Sequence, residues 1–118
     1  MHERGCVVSF NSDSPDHARR LNLEAAKAVK YGGLSEMEAF KFITLNPAKQ
    51  LGIDRWVGSL HAGKDADIAI WSGNPLDYRT RCEQTWVDGI LLYEIEASSK
   101  RDQKRAKERL ALLDKAQQ

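Results

Sequence analysis

The first apolar run of the chain predicts a short strand followed by a helix. Residues 6–10, CVVSF, contain one polar position, a pattern typical of a parallel strand that is buried on both faces. Ser14 can cap a helix whose first position is Pro15. Apolar residues then recur at helical spacing as far as Tyr31, and Gly32-Gly33 is expected to end the helix.

A second helical region follows. Ser35 and Glu38 form a capping box, in which each side chain satisfies a free backbone amide at the start of a helix. Asn46-Pro47 is expected to interrupt this helix, because the residue before a proline is displaced from helical dihedral angles. Pro47 can begin one more short helical piece that closes at Gly52.

Beyond residue 56 the apolar spacing changes from helical to strand-like. Residues 57–60 and 68–71 are predicted to form two short strands joined by a glycine-containing turn. Residues 82–87 and 90–94 flank Asp88-Gly89, a dipeptide typical of a tight hairpin because both positions tolerate positive φ.

The last predicted element is a charged helix. Ser99 and Asp102 offer a cap, and Ala106, Leu110, Leu113 and Gln117 mark one face. The predicted order is thus one βα unit, a helical pair, four strands and a final helix. A single buried parallel strand has no strand to pair with, so the pattern indicates a part of a larger fold.

Composition narrows the possible classes of protein. The 118 residues are 42% hydrophobic and 30% charged, with a formal net charge of +1, and the mean hydropathy is −0.55. These values describe at most one soluble globular domain and argue against a nucleic-acid partner. Residues 100–118 hold seven Lys or Arg against three Asp or Glu, a local net charge of +4.

Targeting and metal signals are sparse. No apolar run has the length of a membrane span or the position of a signal peptide, so we expect no membrane partner and a cytoplasmic location. Cys6 and Cys82 are far apart in apolar stretches and are expected to be buried thiols. The histidines, His2, His17 and His61, share no metal-ligand spacing.

Two interpretations of Asp13 follow from the residues alone. At the end of the strand predicted at 6–10, its carboxylate would lie in a βα loop, where reactive groups collect in barrels and open α/β sheets. Asn, Asp and Ser are also favoured in turns and caps for local hydrogen bonding. Residues 11–16 by themselves favour the turn interpretation, and both stay open at this point.

Longer motifs carry a resemblance to a known family. The helix ending NPAKQLGI, the turn and strand GSLHAGKDADIAIW and the hairpin WVDG resemble the C-terminal part of metal-dependent amidohydrolases, in particular the imidazolonepropionase-like and dipeptidase-like members. The resemblance covers residues 6–93, and the SDS around Asp13 lies at the matching distance before these motifs. In that family the GKDAD phrase is a structural turn, which makes Asp65 and Asp67 poor catalytic candidates.

The resemblance implies an α/β fold with a small β section. Residues 7–10 would be the last strand of a (β/α)₈ barrel, and 57–93 part of the accompanying β-sandwich. The expected divisions are 1–55 for the end of the barrel, 56–95 for the β-sandwich portion and 96–118 for the charged amphipathic helix.

The resemblance also implies the site. Asp13 would ligate a divalent metal, with zinc preferred and iron the alternative, and would accept a proton from the attacking water. A catalytic zinc takes about three protein ligands, so the others must lie outside this chain. Ser14 and His17 are the candidate substrate-binding residues, although His17 also fits an ordinary surface position in the first turn of a helix.

Two functions remain in competition. The first is the C-terminal portion of an amidohydrolase that cleaves a carbon–nitrogen bond in a cyclic amide or dipeptide-like substrate and is inactive as the isolated chain. The second is a non-catalytic assembly or regulatory module that retains part of the fold. Besides a small-molecule substrate, the expected partners are the remainder of the barrel or a second copy of the chain, in a homo-oligomer.

Overall fold

The computed structural model describes residues 2–116 and contains helices followed by a small sheet and a long final helix. The elements, in chain order, are a 3₁₀ turn His2–Arg4, α1 Pro15–Ala18, α2 Leu21–Gly32, α3 Glu36–Lys41, α4 Leu45–Gln50, β1 Ile68–Trp71, β2 Cys82–Val87, β3 Ile90–Glu94 and α5 Ile95–Ala116.

Residues 7–10 are extended, but the predicted buried parallel strand is not formed within the described chain. Val7 is 48% exposed. A strand requires a neighbouring strand to satisfy its backbone, and here the partners come from the α3–α4 region instead. Three hydrogen bonds make this connection: Phe10 N–H to the Phe42 carbonyl at 3.0 Å, Asn46 Nδ2 to the Val8 carbonyl at 2.7 Å and Gln50 Nε2 to the Val7 carbonyl at 2.8 Å.

The helix predicted from Pro15 to Tyr31 is present but divided. Ser14 caps its start, because its hydroxyl oxygen accepts a hydrogen bond from the His17 backbone N–H at 3.2 Å. The chain leaves helical geometry at Arg20, where φ is −132°. In the first turn of α2, Asn22 Nδ2 donates to the Pro75 carbonyl at 2.7 Å. No local sequence pattern predicts this long-range contact.

The predicted helix interruption at Asn46-Pro47 is misplaced, because the break between α3 and α4 comes before these residues. Ser35 caps α3 by accepting from the Glu38 N–H at 3.3 Å, as predicted, whereas the Glu38 carboxylate pairs with Lys41. The chain turns at residues 42–44, and Asn46-Pro47 lies in the first turn of α4. A proline fits there because the first amides of a helix have no partner within it. The helical piece closes at Gly52, where φ is +72°.

The sheet is antiparallel in the order β1-β2-β3. The predicted hairpin is confirmed, with Val87 opposite Ile90 and φ of +50° at Asp88 and +73° at Gly89. The strand predicted at 57–60 is absent from this described segment. Gly58 has φ of +84° and lies against the backbone of α4, a conformation that a regular strand does not adopt.

Helix α5 begins at Ile95, directly after β3, four residues before the predicted Ser99 cap. Its first turns contact β2 and β3, and this tertiary support replaces the cap. Gln117, predicted on its apolar face, lies outside the described residues. Within residues 2–116, no helix has both the length and the apolar character needed to cross a membrane.

The core is small. Within residues 2–116 the buried apolar side chains are Ala25, Ala39, Phe42 and Ala48. The chain exposes 9436 Å², whereas a folded monomer of this mass exposes about 6,500 Å². Its radius of gyration is 18.5 Å, against about 13.5 Å for a compact domain of this length. Much apolar surface is therefore uncovered.

Cys6 and Cys82 were predicted to be buried, and neither is fully buried. Cys6 is exposed, because the segment that carries it is not enclosed between other strands. Cys82 is half-buried, and its thiol donates to the Gln84 carbonyl at 3.3 Å.

Candidate functional site

Asp13 lies in the loop between the extended segment 7–10 and α1. Its φ of +34° is in the left-handed region, which Asp and Asn tolerate better than most residues. Asn11 Nδ2 donates to Asp13 Oδ1 at 2.8 Å, while the Asn11 side-chain oxygen accepts from the Ser12 N–H at 2.7 Å. The loop therefore holds an exposed carboxylate in a defined orientation just ahead of a helix.

Ser14 and His17 follow Asp13 directly into α1. The Ser14 oxygen is engaged as the helix cap, so its observed role is structural. His17 is exposed on the single turn of α1. The three candidate residues are thus neighbours along one loop and helix start, and the substrate-binding roles of Ser14 and His17 remain predictions.

Two residues of α4 that fix this loop were missed at the level of the sequence. Asn46 is only 8% exposed, and its amide donates to the Val8 carbonyl. Gln50, one turn later, donates to the Val7 carbonyl and accepts a hydrogen bond from the Ser9 hydroxyl. A polar residue before Pro47 suggested only a helix interruption, and no local signal pairs it with a segment 38 residues earlier.

An apolar groove of about 680 Å³ lies elsewhere, between the helices and the start of the sheet. Its lining includes Leu21, Phe40, Ile43, Leu51, Val57 and Ile68. Asp13, Ser14 and His17 are not among the described residues that line it. The groove therefore marks uncovered apolar surface, which reaches Ala18 at the end of α1 but includes none of the three candidate residues.

The donor groups of the described residues do not form a complete metal centre. Within residues 2–116 no group of three or more His, Cys, Asp or Glu side chains is placed to hold a metal ion. Asp13 offers one exposed carboxylate, a donor that a divalent cation accepts as one of several ligands. Asp67 has a turn role, because its Oδ1 accepts from the Asp88 N–H at 3.0 Å.

Two carboxylates away from the site have altered proton affinity. Hydrogen bonds from the Arg79 side chain, and then from its backbone N–H, lower the pKa of Asp77 to about 2. The same pairing raises the pKa of Arg79. A hydrogen bond from Lys41 is the main cause that lowers the pKa of Glu38. These groups are ion pairs between residues two or three apart in sequence and stabilise local structure.

A comparison with known protein families decides which family this chain belongs to: the model of the Amidohydrolase family matches residues 1–104. The chain belongs to the amidohydrolase family. It is 35% identical over 95 residues to "Amidohydrolase tasK" of Hapsidospora irregularis, a match that covers 80% of this chain and 10% of that protein. It is 50% identical over 59 residues to an imidazolonepropionase of Shewanella frigidimarina, covering 50% of this chain and 13% of that protein.

A solved amidohydrolase shares the fold of this segment. The crystal structure of an amidohydrolase from Thermotoga maritima matches with a TM-score of 0.73 and 34% identity, over 79% of this chain and 24% of that one. The chain spans about a tenth to an eighth of the length of the two relatives above. The resemblance to imidazolonepropionase-like amidohydrolases is confirmed, and residues 105–116 of α5 lie beyond the family match.

Proposed function

We propose that this chain is the C-terminal portion of an amidohydrolase that hydrolyses a carbon–nitrogen bond in a small cyclic amide or dipeptide-like substrate. The observation that carries the proposal is the placement of Asp13: an exposed carboxylate, held by Asn11 at positive φ, between an extended segment and a helix start. Uncommon backbone conformations of this kind collect at functional sites.

In this proposal Asp13 acts as one ligand of a divalent metal, zinc in preference to iron, with the remaining ligands outside this chain. When bound, such a metal polarises the scissile carbonyl and favours deprotonation of the attacking water. Asp13 accepts the proton of that water on its carboxylate and returns it to the leaving amine. The half-buried Ser14 and the exposed His17 would contact the substrate beside it.

The uncovered surface supports a role as one part of a barrel. Residues 7–10 would become the last strand of a (β/α)₈ barrel once a neighbouring strand is present, and 57–93 would belong to its β-sandwich. Exposed side chains such as Val7, Leu60 and Ile90 would then be covered. The remainder of the barrel is thus the partner that the proposed activity requires, and the 118 residues alone would be inactive.

A segment exchange tests the proposal. The C-terminal part of the Shewanella frigidimarina imidazolonepropionase would be replaced by residues 6–93 of this chain, which include Asp13, and imidazolonepropionase activity and zinc content would be measured. We expect a folded, active hybrid whose activity is lost on Asp13→Ala, and an inactive 118-residue chain without tight zinc binding. An active isolated chain, or an active Asp13→Ala hybrid, would contradict the proposal.

A second candidate is a non-catalytic assembly module, and the exposure of α5 favours it. The two functions differ in what they require of Asp13, since an assembly module has no use for that carboxylate. An Asp13→Ala change that alters nothing in the hybrid enzyme would therefore favour the second candidate.

A further inference from the structure

Helix α5 presents an apolar stripe that nothing in the described chain covers. Every residue from 101 to 115 is exposed, with Leu110 at 62% and Leu113 at 49%. The contacts of α5 are with β2 and β3, at the other end of the helix. The family match ends at residue 104, so Leu110 and Leu113 lie beyond the matched region.

The spacing of the stripe is that of a coiled-coil seam. Gln103, Ala106, Leu110 and Leu113 follow one another at intervals of three, four and three residues, which corresponds to alternating a and d positions of a heptad. A shallow groove runs along this face and is lined by Arg105, Ala106, Arg109, Leu110 and Leu113. The apolar part of the stripe, from Ala106 to Leu113, covers about two helical turns, and Leu110 and Leu113 lie on the same face.

The charged residues beside the seam indicate which helix pairs with it: α5 of a second copy of this chain. With Leu110 at position a, Asp102 and Arg109 occupy g positions, and Lys107 and Asp114 occupy e positions. In a parallel pair each g residue faces the e residue five positions later on the other helix. Asp102 then faces Lys107 of the second copy, and Arg109 faces Asp114 of the second copy, so that both contacts join opposite charges.

An antiparallel pair centred on the same stripe fits less well. In that orientation e positions face e positions and g positions face g positions. When Leu110 is opposite Ala106 of the second copy, Lys107 and Arg109 each lie near their own counterparts, and only Lys100 and Asp114 join opposite charges. When Leu110 is opposite Leu113, Lys107 lies near Asp114, but Asp102 and Arg109 gain no opposite charge. The charge pattern therefore favours a parallel pair of identical helices.

We propose that two copies of this chain associate through a parallel pairing of α5, with Ala106, Leu110 and Leu113 in the seam. The seam is short, so the association is a concentration-dependent equilibrium between monomer and dimer. This inference does not depend on the proposed hydrolase activity, because the apolar residues of the seam, Ala106, Leu110 and Leu113, lie beyond the family match.

Sedimentation equilibrium of the full 118-residue chain and its variants tests the pairing. Leu110→Asp with Leu113→Asp should weaken self-association at least tenfold, because it places like charges in the seam. Leu112→Asp is the matched control: Leu112 is 66% exposed on the same helix but lies off the seam, so a change of less than twofold is expected. Equal effects of the two replacements, or a monomer at about 1 mM, would overturn the proposal.

A charge exchange separates this pairing from association through other apolar surfaces. Arg109→Glu alone and Asp114→Arg alone should each weaken the dimer by about two- to fivefold, since exposed ion pairs contribute modestly. The double exchange restores opposite charges and should return self-association to within about twofold of the unchanged chain. Failure of the double variant to recover would refute the parallel g-to-e contacts.

Disulfide trapping checks the orientation. In a chain carrying Cys6→Ser and Cys82→Ser, Leu110→Cys should form a disulfide between two copies under mild oxidation, because identical a positions meet in a parallel pair. Lys104→Cys, on the outer face of the same helix, should remain largely monomeric. Trapping at 104 as efficient as at 110 would contradict the seam.

Discussion

The side-chain amide of Asn46 in α4 donates a hydrogen bond of 2.7 Å to the carbonyl oxygen of Val8, 38 residues earlier in the chain. Asn46 is a buried polar residue, and this contact pairs one of its side-chain N–H groups with a backbone carbonyl. It fixes the extended segment 7–10 to the helices and thereby sets the position of Asp13 at the end of that segment.

The first prediction concerns Asn46→Ala. Removing the amide leaves the Val8 carbonyl without its donor, and we expect the free energy of unfolding to fall by about 1–3 kcal/mol. Gln50→Ala is the control, because Gln50 donates to the Val7 carbonyl from an exposed position where water replaces it; its cost should be about 0.5 kcal/mol. Urea denaturation measures both. Equal losses would show that burial does not decide the effect.

The second prediction compares two glycines with similar positive φ angles. Gly58 and Gly63 have φ of +84° and +87°. A Cβ at Gly58 would lie 2.7 Å from the Cβ of Ala48, whereas a Cβ at Gly63 would meet nothing within 4 Å. Gly63→Ala should therefore cost only the backbone strain, about 1–2 kcal/mol. Gly58→Ala should cost about 1–3 kcal/mol more, because α4 must move.

Thermal denaturation of the two variants checks this difference. A Gly63→Ala chain that is destabilised as much as Gly58→Ala would mean that strain alone decides, and that the contact between residue 58 and α4 is unimportant for stability.

The sequence predicts those parts of the fold that depend on interactions between residues close together in the chain. The hairpin at Asp88-Gly89 was predicted correctly because positive φ at two adjacent residues is a local requirement. The Ser14 and Ser35 caps were predicted for the same reason. The strand predicted at 7–10 is not formed because a strand depends on neighbouring strands, and the described partners of this segment are the Phe42 carbonyl and two side chains of α4.

The start of α5 shows a second limit. Ser99 and Asp102 form an acceptable cap pattern, but the helix is already supported by β2 and β3 from Ile95 onward, so tertiary contact overrides the local signal. For the candidate site, the position of Asp13 followed from its place after an apolar run. The anchors Asn46 and Gln50 did not, since only the folded chain brings α4 to that run.

The third prediction concerns the ion pair of Asp77 and Arg79. Hydrogen bonds from Arg79 favour the charged carboxylate and lower the pKa of Asp77 to about 2. Arg79→Met removes the side-chain donors, so the pKa of Asp77 should rise toward its ordinary value of 3.8. A nuclear magnetic resonance titration of the Asp77 carboxyl carbon measures the shift. An unchanged pKa would mean that the Arg79 side chain is not its cause.

The direction of the pH dependence follows from the same shift. A carboxyl whose pKa is lower in the folded chain stabilises the fold above its unfolded pKa, and this contribution is lost as the pH falls through the folded value. For Asp77 the loss should occur between about pH 4 and pH 2. The Arg79→Met chain should lose the larger part of this component in acid denaturation, because only the backbone N–H of residue 79 still donates to Asp77; its stability at pH 7 should decrease slightly.

The last prediction concerns Asp13 in the complete amidohydrolase to which this segment is proposed to belong. Asp13→Asn retains the size and one oxygen of the side chain but cannot accept a proton at pH 7, so kcat should fall by about a hundredfold or more. Stability should barely change, because the Asp13 side chain is exposed and Asn tolerates the same positive φ. Steady-state kinetics and thermal denaturation of the same samples measure the two effects.

Asp16→Asn is the matched control for that change. Asp16 is also exposed and lies in the first turn of α1, where its charge interacts favourably with the helix dipole by about 0.3–1 kcal/mol. Its replacement should reduce stability by no more than this amount and leave turnover nearly unchanged. If Asp13→Asn keeps full turnover, or loses it only by unfolding, then Asp13 serves the turn alone, because a proton acceptor in the reaction would lower kcat in a protein that remains folded.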